Sequence, residues 1–191
     1  MKNEDAPPWL DVSRETLGKL QEYCRLIEKW NPTINLLAKS QIGEIWERHI
    51  LDSAQLFEFC SQGAKSWCDL GSGGGFPGLV IAILALEKMP ELRVTLVESD
   101  QRKAVFLGQV ARELGLNIKI LNERIEKLAP QDAEIVSARA LASLNDLLVL
   151  AARHLRPSGT AIFPKGISAD QEVLEAQSMW SFKLTERPSR V

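Results

Sequence analysis

From Ser66 to Leu86 the chain reads SWCDLGSGGGFPGLVIAILAL. Two apolar runs enclose five glycines in eight positions, Gly71, Gly73, Gly74, Gly75 and Gly78. Glycine loses more freedom on ordering than any other residue and gives nothing to a core. A loop built this way must answer a need for bare backbone. At the carboxyl end of a strand, such a loop presents unpaired N–H groups and the positive end of the following helix to a ligand. In open α/β sheets that is where ligands bind. The stretch therefore requires strand, glycine turn and helix in that order.

The rest of the chain continues the alternation. RVTLVES, NIKIL, AEIVSA and GTAIFPK are rich in β-branched residues and follow SWCDL as strands. PGLVIAILALEK, QRKAVFLGQVAREL, SLNDLLVLAARHL and ADQEVLEAQSMW have helical periodicity, with Pro90, Gly115 and Pro157 as stops. Alternating strands and helices of these lengths predict a Rossmann-like α/β fold, a mostly parallel twisted sheet with helices on both faces. A further strand is expected near 182–185. The region before Ser66 has a different texture. Leu17, Leu20, Cys24, Ile27 and Trp30 recur every three or four residues and predict an amphipathic helix broken at Asn31-Pro32. A second helix is expected from Ile42 to Gln62, with Ser40 as its N-cap. The expected organisation is a helical N-terminal extension over residues 1–64 packed on an α/β core over residues 65–191.

Composition excludes little more. The 191 residues are 45% hydrophobic and 25% charged, ordinary values for a soluble domain. No apolar run spans a bilayer, and the start MKNEDAPPW lacks the apolar stretch of a signal peptide, so a cytoplasmic protein without a membrane partner is expected. The three cysteines, Cys24, Cys60 and Cys68, form neither a close pair nor a cluster with histidine, which argues against a disulfide framework or a metal site. A net charge of −2 neither announces nor excludes a nucleic-acid partner.

The nature of the ligand turns on two carboxylates. Gly73, Gly75 and Gly78 match the dinucleotide fingerprint GxGxxG, which alone is weak. Glu98, in LVESD at the end of the second strand, suits both ribose hydroxyls of a nucleoside, in a nicotinamide dinucleotide or in S-adenosylmethionine alike. Asp69 stands two residues before Gly71. Near the ligand it would repel a pyrophosphate and tolerate the ammonium and sulfonium of S-adenosylmethionine. No nucleophile–base pair is evident: there is no GxSxG elbow, and His49 and His154, the only histidines, lie in helical patterns.

The run Asp69 to Gly78 resembles the cofactor loop of the RsmG (GidB) family, bacterial methyltransferases acting on guanine N7 of small-subunit ribosomal RNA. The resemblance extends to Trp30-Asn31, Asn35-Leu36, the RHILDS run Arg48 to Ser53, the segment Ser137 to Leu144, and Lys165-Gly166. It implies a methyltransferase fold with S-adenosylmethionine as donor, and 16S ribosomal RNA or a precursor of the small subunit as partner of a monomeric enzyme. By position it implies that Gly71, Gly73, Phe76, Glu98, Ile125, Glu126 and Arg139 line the cofactor site, and the loop itself adds Asp69 and Gly75 to the expected cofactor-binding set. Arg139, Asn35, Arg48 and Lys165 are candidates for positioning the substrate, and no residue is singled out as catalytic. Guanine N7 carries a lone pair and no proton, so the lack of a general base is expected of this chemistry. Two departures stand out. Leu37 occupies a position where the family usually has threonine, and the family's C-terminal hairpin looks truncated after SFKLTERPSRV. An oxidoreductase using NAD and a non-catalytic ribosomal-RNA-binding or assembly factor are the competing readings.

Overall fold

A computed structural model describes residues 6–191; the first five residues of the polar start lie outside the described residues. The chain begins with helix α1 (Arg14–Ile34) and then passes through a series of short turns: a 3-10 turn (Lys39–Glu44), a π-helical turn (Trp46–Leu51), α2 (Asp52–Ala54) and a second 3-10 turn (Gln55–Phe59). The alternating region follows as β1 (Ser66–Leu70), α3 (Gly78–Lys88), β2 (Arg93–Val97), α4 (Gln101–Leu114), β3 (Ile118–Leu121), β4 (Ala133–Ser137), α5 (Leu144–His154), β5 (Leu155–Ile162) and α6 (Ala169–Gln177).

The five strands form one sheet in the order β3-β2-β1-β4-β5, and every neighbouring pair is parallel. The chain runs outward from β1 to β3, then returns to start again at β4. The β1/β4 boundary is therefore the switch point, with a crevice at the strands' carboxyl ends. Strand periodicity sorts the side chains of β1. Trp67 packs with α1, α3 and α4 in one core, whereas Cys68 and Leu70 join Val136, Leu147 and Ala151 in the other. Helices thus cover both faces. α1 lays its buried stripe, Leu20, Tyr23, Cys24 and Ile27, on α3 and α4. No helix among the described residues is long and apolar enough to cross a membrane.

Three local expectations are corrected. Asn31-Pro32 does not end the first helix, which continues to Ile34. Pro32 is exposed, and so is Glu28, whose carbonyl loses its helical partner there, so water can take the freed bond. The turn comes at Asn35, in the left-handed region at φ 53°. The buried Asn31 side chain then folds the chain back, accepting from Leu37 N at 2.7 Å and donating to Leu37 O at 3.1 Å. Next, the single helix expected over 42–62 is broken into short turns, and Ser40 lies inside the first of them rather than capping a helix. A change of helical pitch rotates successive side chains, and this one buries Trp46, His49, Ile50, Leu51, Ser53 and Ala54 together. Finally, residues 178–191 form neither helix nor strand, so the strand expected near 182–185 is absent among the described residues.

α3 enters directly from the glycine loop, and Gly78 sets how closely it sits on the sheet. A Cβ there would lie 2.8 Å from Asp69 Oδ2 and closer still to Leu96 Cδ2. Gly78→Ala is expected to lower stability by about 1–3 kcal/mol through overpacking. The check is a reduced denaturation midpoint at unchanged denaturant dependence.

Candidate functional site

The glycine loop is held from several sides. Gly71, Gly73 and Gly75 have φ of 69°, 58° and 101°, which side chains rarely tolerate. Ser72 N donates to Val97 O at 2.9 Å, tying the loop to β2. From α1, Tyr23 Oη donates to Gly74 O at 2.5 Å. Leu141, from the segment after β4, lies over Gly71, where a Cβ would come within 2.8 Å of its Cδ1.

Above the loop opens a cleft of about 1010 Å³ across the carboxyl edge of the sheet. Its floor is Gly71–Gly74. One flank carries Glu98 and the turn Glu123–Glu126, the other carries Arg139–Leu141, and Leu36, Leu37, His49 and Asp52 roof it from the N-terminal region. Glu98 is only 7% exposed. Its Oε2 accepts from Gly73 N and its Oε1 from Asp100 N, both at 2.7 Å, so the carboxylate is fixed. Each oxygen keeps acceptor capacity toward the cleft, a matched pair for two vicinal hydroxyls. Ile125 is buried and Glu126 exposed at the same wall.

Phe76 and Arg139 meet at the other flank. The guanidinium stacks over the Phe76 ring at 4.9 Å, and the same ring lies 5.0 Å from His49 and 5.3 Å from Tyr23. Arg139 also donates to His49 Nδ1 at 2.6 Å and to Arg48 O at 3.2 Å, and reaches Asp52 Oδ2 at 3.4 Å. One side chain from the end of β4 thus binds three residues of the N-terminal turns. Burial, then the Arg139 and Arg48 charges, push His49 down to about 4. The neutral ring accepts at Nδ1, so its proton resides on Nε2, which is buried without a partner.

Several expected site residues are placed differently. Asp69 is fully buried and does not line the cleft. Alternation along β1 turns it toward α3, where Oδ2 accepts from Gly78 N at 3.2 Å and Oδ1 from Ser137 Oγ at 2.7 Å. It anchors the loop from beneath rather than facing the cleft. Gly75 also lies outside the cleft; a Cβ there would collide with Leu79 and sit 2.6 Å from Tyr23 Oη, so packing explains this glycine. Asn35 is the exposed left-handed cap of α1 and lines no part of the cleft. Arg48 does reach the cleft wall, but its guanidinium pairs with Glu44 at 2.7 Å rather than with Asp52. Lys165 lies outside this cleft, donating to Ala142 O at 3.1 Å and Glu172 Oε2 at 2.7 Å. Gly71, Gly73, Phe76, Glu98, Ile125, Glu126 and Arg139 all meet in the cleft. Sequence reasoning missed Tyr23, which looks like one more core residue of α1, and Ser137, which accepts from Trp67 Nε1 at 2.8 Å while donating to Asp69.

Fold and cleft define a Rossmann-like protein of the methyltransferase kind. Among solved structures, a SAM-dependent O-methyltransferase from Thermotoga maritima matches with TM-score 0.54 at 16% identity, over 72% of this chain and 54% of that one. The mitomycin 7-O-methyltransferase MmcR matches with TM-score 0.51 at 17% identity, over 88% and 55%. At such identities these likenesses speak for the fold alone. The sequence goes further: residues 16–189 match the model of the GidB family, rRNA small subunit methyltransferase G, and the chain belongs to that family. Proteins named ribosomal RNA small subunit methyltransferase G are 50% identical in Cereibacter sphaeroides, over 99% of this chain and 92% of the relative. In Rhodospirillum centenum the identity is 51%, over 94% and 81%.

Two buried groups give the site a pH signature. Burial raises Asp69 to about 6, against the pull of Ser137 and Gly78 N–H. The folded state then binds more protons than the unfolded one between about pH 4 and 6, and this contribution to stability declines as pH rises. His49 does the reverse: its lowered value makes the unfolded state bind more protons between about 4 and 6.5, so its contribution grows with pH. The two slopes oppose each other in the wild type. Asp69→Asn is expected to leave stability rising more steeply from pH 4 to 6.5, and His49→Gln to leave it falling, as read by denaturant titrations across that range.

Proposed function

We propose that this chain methylates N7 of a guanine in small-subunit (16S) ribosomal RNA, with S-adenosylmethionine as donor. The match of residues 16–189 to the rRNA small subunit methyltransferase G family carries the reading. The cleft fits the donor. The two Glu98 oxygens suit its ribose hydroxyls, and Ile125 with the Glu126 segment offers an apolar surface and polar groups to its adenine. The bare backbone of Gly71 and Gly73 admits close approach of its amino-acid end, toward Phe76 and Arg139. The described part of the 1–64 extension, residues 6–64, acts as an integral roof to the core of 65–191, since α1 and the short turns share one apolar core with α3 and α4.

The bound donor supplies a methyl group on a sulfonium. Held by Glu98, the Gly71–Gly74 loop and the Ile125–Glu126 wall, the donor would give that methyl group to guanine N7, whose in-plane lone pair would form the new bond while sulfur kept the C–S electron pair. No proton leaves N7, so the chain needs no general base there. Its residues contribute by alignment and by excluding water, which together supply several kcal/mol in favourable cases. Glu98 and the glycine loop hold one reactant; the walls beyond Arg139 receive the other. Neutral His49 keeps Arg139 in place without adding a second positive charge beside it.

Two measurements test this. Mass analysis of 16S ribosomal RNA from cells lacking the gene is expected to show one 7-methylguanosine missing and restored on complementation; retention of every such nucleotide would rule the substrate out. Glu98→Ala is expected to weaken S-adenosylhomocysteine binding about 10- to 100-fold by calorimetry, with the circular dichroism of the wild type. Unchanged affinity, or tight binding of NAD instead, would remove the assigned cofactor.

A further inference from the structure

Beside the cofactor cleft lies a second cavity of about 540 Å³. Asp52, Arg139, Ala140 and Leu141 line both. The two follow the strand order. Glu98 and the Glu123–Glu126 turn lie beyond β2 and β3, the glycine loop beyond β1, and the second cavity beyond β4 and β5, where Ala142, Pro164 and Lys165 complete its wall. With ribose and adenine on the β2/β3 side, the methyl-bearing end of a bound donor would lie toward the shared boundary, and the second cavity would open onto it.

We infer that this cavity receives the target guanine and that Asp52 reads its Watson–Crick edge. The inference rests on the methyltransferase reading above. Leu141 is 37% exposed, and with Ala140, Ala142 and Pro164 it gives apolar surface for the face of an extruded base. Ala140 holds a φ of 51°, an unusual conformation for a residue with a side chain, just where the two cavities join.

Guanine differs from adenine on its pairing edge by two donors, N1–H and the N2 amino group, and an ionised carboxylate accepts both at once. Two carboxylates line the cavity. Glu172 is committed: it accepts from Leu144 N at 2.7 Å, Lys165 Nζ at 2.7 Å and Ser168 Oγ at 2.8 Å. Asp52 is not. Its Oδ1 accepts from Gln55 Nε2 at 2.9 Å, and its Oδ2 has only the long 3.4 Å contact with Arg139. Lys165 has two acceptors for its three protons and keeps one for the base O6 or an adjacent phosphate.

The test is a cycle between Asp52 and the N2 amino group. After mass mapping, inosine, which lacks that group, is ligated in place of the methylated guanine in a 16S transcript. The transcript is offered bare and reconstituted into subunits. Transfer to the guanine transcript by the wild type is the prior check; without it the functional reading itself fails. Given transfer, inosine is expected to lower the wild-type kcat/KM about tenfold. In Asp52→Ala the same replacement is expected to change kcat/KM less than about twofold, with S-adenosylhomocysteine affinity retained. Asp52→Asn, of nearly the same shape, carries the test if the alanine variant does not fold; its single acceptor oxygen should blunt discrimination. Equal inosine penalties in wild type and variants overturn the assignment. So does loss of S-adenosylhomocysteine affinity with the penalty intact, which would assign Asp52 to the donor.

Discussion

The buried carboxylate of Asp69 is the constraint around which the rest is arranged. It sits at the end of the central strand, out of water, and accepts from the first N–H of α3 and from Ser137 on β4. Burying a carboxylate is costly, and its raised proton affinity records that cost. In return, three elements are fixed to one point: β1, the start of α3 and the end of β4. The loop between the first two is pinned at both ends, and the switch-point crevice opens directly above it. Gly78 is the counterpart, because any side chain there would displace the carboxylate.

Arg139 has a comparable role a layer higher. It is half of the clamp that joins the N-terminal turns to the sheet, with the backbone of Arg48, the His49 ring and the Asp52 carboxylate as its partners. Its position between the two cavities makes it a wall of both. The residues of the RHILDS run are therefore less a separate motif than a socket for one guanidinium.

The architecture was legible in the chain because its causes are local. Within the α/β region, helical and strand periodicities, the stops at Pro90 and Gly115 and the crowded glycine turn each act over a few residues, and they agree. The place of Glu98 at the cleft wall was legible for the same reason, Glu98 being an acidic residue at a strand end of a known kind of fold. Asp69 was picked out by its type, but its placement beneath the loop rather than in the cleft depends on strand alternation relative to α3. Tyr23 and Ser137 could not be picked out, since their roles exist only through contacts 51 and 68 residues away. The broken helix over 42–62 was hidden as well. Helical periodicity reports an apolar face, and a succession of 3-10 and π turns gives nearly the same spacing while aiming its side chains differently.

The supports of the glycine loop have a consequence for how the chain acquires its capacity to bind. Tyr23 comes from the first helix, Val97 from the second strand, Ser137 from the fourth and Leu141 from the turn after it. No continuous fragment shorter than residues 23–141 contains them all. Such long-range closures form late and slowly in a parallel sheet. Strand and helix can therefore be present while the loop is still unshaped. Competence to hold a nucleoside depends on the finished tertiary structure, α1 and its Tyr23 included, rather than on the motif alone.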